Sequence, residues 1–156
     1  MLRSRTALAV GTIWAAVVLA VPPAARADDP FEGLPSKVGL VSVKVAKPSP
    51  SGCFGQSDDP FRGFATDVRG PAATRCERFV PSVFVKAQLW ERRIWGWDRF
   101  GQPDQAQEAN QSDVVAVATS ECRDNRFRTT GDHAATDVDF DTYRARTSTG
   151  GNDIRC

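Results

Sequence analysis

Between Arg78 and Arg92 the chain alternates. Val83, Val85, Ala87 and Leu89 fall on one side, and Phe84, Lys86, Gln88 and Trp90 on the other. This period of two marks a half-buried strand. Pro81 opposes a helix here and points to an edge position or a bulge at the strand start. Arg92-Arg93 reads as a turn, after which Ile94–Phe100 (IWGWDRF) returns as the second strand of a hairpin. A further alternating run, Leu40–Val45, lies in an ordered stretch beginning at Val38. Val41, Val43 and Val45 would share one face, with Ser42 and Lys44 on the other. Asp113–Cys122 (DVVAVATSEC) has few polar positions and reads as a buried strand. Arg126–Thr130 alternates again. Val138, Phe140 and Tyr143, set among Asp137, Asp139 and Asp141, suggest one more strand, its three carboxylates on a solvated face.

Between these runs the chain is punctuated. Residues 47–75 contain Pro48, Pro50, Gly52, Gly55, Pro60, Gly63, Gly70 and Pro71, and read as a long connection with one short strand near Phe64–Val68. Residues 101–112 are polar and turn-like. Asp124-Asn125 and Gly150–Asp153 are turn signals, the latter before a short terminal Ile154–Cys156. No amphipathic helix is predicted. Short strands at this spacing argue for an all-β domain, an antiparallel sandwich or an open barrel.

The N-terminus departs from this pattern. Arg3 and Arg5 precede an uncharged apolar stretch, Ala7–Val21, which Pro22 and Pro23 close. Ala25-Arg26-Ala27 is a small-x-small cleavage site before Asp28. This is the build of a signal peptide spanning 1–27. The apolar run falls short of the ~20 residues of a membrane-spanning helix, which argues against an anchor. No later apolar run of that length follows, so no stable membrane insertion is expected after cleavage and the mature protein should be secreted. Residues 28–36 (DDPFEGLPS) read as a flexible tail, and 37–156 as one domain.

Removing the leader's three arginines takes the formal charge from +1 to −2. A near-neutral domain has no electrostatic footprint for nucleic acid. All four cysteines, Cys53, Cys76, Cys122 and Cys156, lie in the mature part. An even count in an exported chain implies two disulfides. Of the three possible pairings, Cys53–Cys76 and Cys122–Cys156 join nearest neighbours in sequence. No CxxC occurs and His133 is the single histidine, so neither a metal site nor a cofactor is expected.

The candidate chemistry is sparse. Trp90, Trp95 and Trp97 are the three mature tryptophans, all in the predicted hairpin, flanked by Arg92 and Arg93. Such a cluster either packs across strands or, exposed, stacks on a sugar or anchors a protein contact. The arginines could lie over the rings. His133 falls in a stretch that looks like a loop, without a GxSxG motif, so no catalytic residue is assigned. Asp137, Asp139 and Asp141 resemble the opening of a calcium loop. Thr142 stands where that loop requires Gly and Ser148 where it requires Glu.

From Cys76 through RFVPSVFVKAQLWERRIWGWDRF, DVVAVATSEC and RFRT to Cys156, the chain resembles small secreted actinobacterial proteins of uncharacterised function. These have a W-G-W hairpin, a later strand ending in Cys, and a C-terminal Cys. The resemblance implies an immunoglobulin-like sandwich and a Cys122–Cys156 bridge. For a chain of this bacterial type, the sequon Asn110-Gln111-Ser112 has no meaning. The leading expectation is a secreted, non-enzymatic β-sandwich that binds an extracellular protein or cell-wall glycan through Trp90, Trp95 and Trp97. The alternatives are a protease inhibitor presenting loop 54–75 braced by Cys53–Cys76, and a small hydrolase using His133.

Overall fold

The computed structural model describes residues 31–64 and 66–156. The predicted leader 1–27, with Trp14 and the cleavage site, lies outside the described residues. Among the described residues nine strands follow one another: β1 (Lys37–Gly39), β2 (Val41–Ser42), β3 (Phe54–Ser57), β4 (Phe61–Arg62), β5 (Asp67–Arg93), β6 (Gly96–Glu121), β7 (Asn125–Thr136), β8 (Thr142–Ser148) and β9 (Asn152–Ile154). The protein is all-β among the described residues, and its strand pairs are antiparallel.

Hydrogen-bonded neighbours run in the order β1, β3, β5, β7, β8, β2. Only Leu40 separates β1 from β2, so the wall returns to its start. The long hairpin β5–β6 makes this possible by bending at mid-length. Between the pairs Arg75↔Asp113 and Val80↔Gln111, five steps along β5 match two along β6. Such a bulge bends a strand and sharpens its twist. Pro81, which offers the ladder no N–H, lies just beyond it. Before the bend β5 pairs with β3, and after it with β7.

The ribbon folds over far enough for β6 to meet itself. The Asp104 carboxylate accepts the Val117 N–H at 2.8 Å. A Cβ on Gly101 would stand 2.3 Å from the Thr119 carbonyl oxygen. The result is one sheet curled towards a barrel. Of the two architectures left open by strand spacing, the pairing follows the barrel. Among the described residues the strands form a single sheet.

The alternation read in β5 sets the core. Val83, Val85, Ala87 and Leu89 are fully buried and meet Val114, Ala116, Ala118, Phe127 and Tyr143. Four expectations need correction. Val41, Val43 and Val45 are exposed, while Leu40 and Ser42 point inward. Alternation fixes the period but not which face is buried, and Leu40 decides it. Residues 101–112 are strand rather than turn. They flank the bend, where most of the ribbon is solvated, so they carry no apolar alternation. Residues 47–75 are largely paired as β3, β4 and the start of β5. Val138 and Phe140 lie in an exposed turn between β7 and β8, not in a strand.

That turn is anchored by Asp137, which is fully buried. Its carboxylate accepts the Ser49 and Ser51 hydroxyls and the backbone N–H groups of Ser51 and Val138. Burial alone would raise its pKa; the four hydrogen bonds outweigh it and hold the pKa below the usual value. The three aspartates are therefore separately occupied rather than one solvated face: Asp139 accepts the Tyr143 hydroxyl at 2.6 Å, and Asp141 pairs with Lys44.

Both disulfides join nearest neighbours in sequence, Cys53–Cys76 and Cys122–Cys156. The first fixes the start of β3 to the bulge of β5. The second ties the C-terminus to the end of β6. Loops of 23 and 34 residues each restrict the unfolded chain by roughly 3–4 kcal/mol on the chain-entropy model. Replacing Cys122 and Cys156 together by Ser should lower unfolding stability by about 3 kcal/mol in urea titration, with the far-ultraviolet spectrum unchanged in buffer.

Candidate functional site

Three short stretches alternate in the same way: Trp90-Glu91-Arg92, Trp97-Asp98-Arg99 and Arg126-Phe127-Arg128. They lie on adjacent strands. Register pairs Trp90 with Arg99 on one side and with Arg128 on the other, and Arg92 with Trp97. Residues directly opposite share a face, and residues two apart on one strand share it too. Tryptophan and arginine are thus set side by side across three strands on the outer face, while Leu89, Glu91 and Phe127 point inward. The Arg128 guanidinium lies 4.0 Å from the Trp97 ring centroid, and Arg92 and Arg99 lie 5.5 Å from Trp97 and Trp90. These are cation–π distances.

At the hairpin tip, Ile94 and Trp95 form a two-residue turn closed by Gly96, whose φ of 145° suits glycine. Both tip side chains project outward, Ile94 96% and Trp95 61% exposed. They form one wall of a groove of about 680 Å³. Trp97, Arg92, Arg126 and Arg128 line it from the sheet, Phe31–Leu34 from the N-terminal side, and Thr149-Gly150 from the loop after β8. That volume falls within the range of about 300–1,000 Å³ usual for small-ligand sites.

The predicted cluster is therefore divided. Trp95, Trp97 and Arg92 line the groove. Trp90 does not: it packs against Phe31 with the rings tilted and their centroids 4.6 Å apart, and donates its indole N–H to Thr130 at 2.8 Å. Arg93 turns away and pairs with Glu91 and Asp98. Arg92 and Arg93 end β5 rather than forming the turn, because the reversal takes place at Ile94-Trp95. Arg126, Arg128 and Gly150 were not singled out from the sequence. The Arg-Phe-Arg alternation was legible, but its neighbours could be known only from register. The segment expected as a flexible tail is held down in its described part: Leu34 N–H bonds Phe31 O, and Pro35 O and Ser36 O accept from Ser148 and Ser57.

His133 is placed in the middle of β7, not in a loop, and is 2% exposed. Its ring packs against bare backbone, where a Cβ on Gly55 or Gly131 would lie 2.3 or 2.4 Å from it. The hydrogen bonds fix its tautomer. Thr74 spends its single hydroxyl proton on Phe84 O at 2.7 Å, so Nδ1–H must donate to Thr74 at 3.0 Å. Nε2 then accepts from Thr147 at 2.8 Å, and Ser57 donates to Thr147 at 2.6 Å. Both ring nitrogens are thus occupied by hydroxyl partners within the wall.

No family model, curated protein or solved structure matches this chain. The two disulfides are consistent with an exported protein. Among the described residues, no helix is long and apolar enough to cross a membrane. Residues 54–57, 61–62 and 67–75 are strands, so the braced loop 54–75 required for an inhibitor is mostly sheet.

Burial drives the His133 pKa down to about 4, opposed in part by the Asp132 charge. The unfolded chain takes up this proton near pH 6.5, whereas the folded protein does so only near 4. The neutral ring's contribution is thus complete above about pH 6.5 and is lost as the pH falls towards 4. Urea unfolding across that window should show a loss of roughly 3 kcal/mol. His133→Asn, although less stable at neutral pH, should lack this slope.

Proposed function

We propose that the protein is secreted and, without catalysing a reaction, binds an extracellular protein or cell-wall glycan in the groove beneath the hairpin tip. One observation carries this reading. Trp95 is held out into solvent beside Trp97 and the arginines of the outer face, rather than packed away. An exposed indole is costly in water and well suited to stacking on a sugar ring or entering a partner's pocket. The likeness to small secreted actinobacterial proteins belongs to the same proposal. The Cys122–Cys156 bridge it implies supports it, while the immunoglobulin-like sandwich it implies gives way to one sheet curled towards a barrel.

Two substitutions from opposite walls test it. Trp95→Ala removes the platform. Gly150→Leu fills the groove, and a Cβ there would meet nothing within 4 Å, so the fold should tolerate it. Screened against immobilised cell-wall saccharides and purified extracellular proteins, the mature protein should bind at least one. Each substitution should weaken that binding about tenfold or more with an unchanged melting temperature. Binding unaffected by both would place the site elsewhere.

A further inference from the structure

We infer that the groove selects a carboxylate-bearing saccharide over a neutral one. This rests on the groove being a binding site and names the ligand chemistry it would take.

The first support is charge. Arg92 and Arg126 bring two guanidinium groups to the groove, and Glu32 is the one carboxylate among the described lining residues. The protein is close to neutral as a whole, so this concentration of positive charge is local. Among the described residues neither Arg92 nor Arg126 has a carboxylate partner. Arg126 reaches the Gly150 and Gly151 carbonyls only at 3.5 and 3.4 Å. Arg92 lies over the Trp97 ring at 5.5 Å, which leaves the donor edges of its planar group for another contact. A guanidinium matches a carboxylate through two parallel N–H···O bonds.

The second support is shape. The site is a bounded groove, not a broad surface. A protein partner of ordinary affinity buries about 800 Å² on each side, whereas a cavity of 680 Å³ suits a small ligand. The aromatic and charged groups also alternate. Trp95, 61% exposed, offers a flat face for a pyranose ring, while Trp97 is covered by guanidinium groups and helps to hold Arg92 at the groove. On the other side of Thr149-Gly150 lies a second hollow of about 390 Å³, lined by Asp58 and Asp59 together with Lys37. Selectivity for the acid group therefore belongs to the tryptophan groove.

The test compares trigalacturonate with its carboxyl-reduced counterpart, by calorimetry or tryptophan fluorescence on the mature, disulfide-bonded protein. Trigalacturonate should bind about tenfold or more tightly than the neutral form and weaken as salt rises. Arg92→Gln with Arg126→Gln should abolish the difference, while Trp95→Ala should weaken both ligands. Equal binding of the two, sensitive to Trp95→Ala, would overturn the inference and leave the groove reading intact. Binding of tetraglutamate but of neither saccharide would likewise overturn the inference and assign the groove to an acidic protein segment. Failure of all three probes would overturn the inference, and the groove reading would then stand or fall by the broader screen and the Gly150→Leu variant.

Discussion

The register of β5 between its neighbours is the constraint from which the rest follows. One strand of 27 residues pairs with β6 along nearly its whole length and with β3 and then β7 on its other edge. Its two-residue period decides what faces the interior at every point. Val83, Val85, Ala87 and Leu89 go inward because the register sends Phe84, Lys86, Gln88 and Trp90 outward. A slip of one residue would exchange the two sets. The core and the tryptophan–arginine face are thus two readings of one alignment.

The parts of the fold legible in the sequence were those in which alternation and burial coincide. The β5 core face shows this directly, with a period of two and one apolar side, whereas Asp113–Cys122 was legible as a strand from its run of valine and alanine. Elsewhere the signal was present but incomplete. In Leu40–Val45 the period was correct and the face was not, since the three valines look more apolar than the single leucine that is buried. Residues 101–112 looked like a turn because a solvated ribbon has no apolar face to display. Their strand state is imposed by pairing with β5, and pairing leaves no trace in local composition.

The candidate site divides along the same line. Trp95 and Trp97 could be noticed one hairpin at a time. Arg126 and Arg128 come from some thirty residues further on and join them only through the β5–β7 register. His133 was misplaced for a related reason. Gly131 and Asp132 beside it resemble loop residues, yet Gly131 is in the strand to leave space for the imidazole. The buried ring is the centre of a polar network, Ser57–Thr147–His133–Thr74, whose single hydroxyl protons all run in one direction. A network in which each member has its partner can lie in a core without penalty, and it specifies one arrangement of the strands around it.

The contact of β6 with itself has a further consequence. Most of the wall is closed by ladders of backbone hydrogen bonds, but between residues 101–104 and 117–120 the Asp104 carboxylate holds the Val117 N–H instead. A seam made by a side chain lacks the cooperativity of a ladder. It is where the wall can part locally while the disulfides and the β5–β7 pairing remain in place, in the manner of the low-energy openings that precede global unfolding. The molecule thus has a point of compliance built into its longest hairpin.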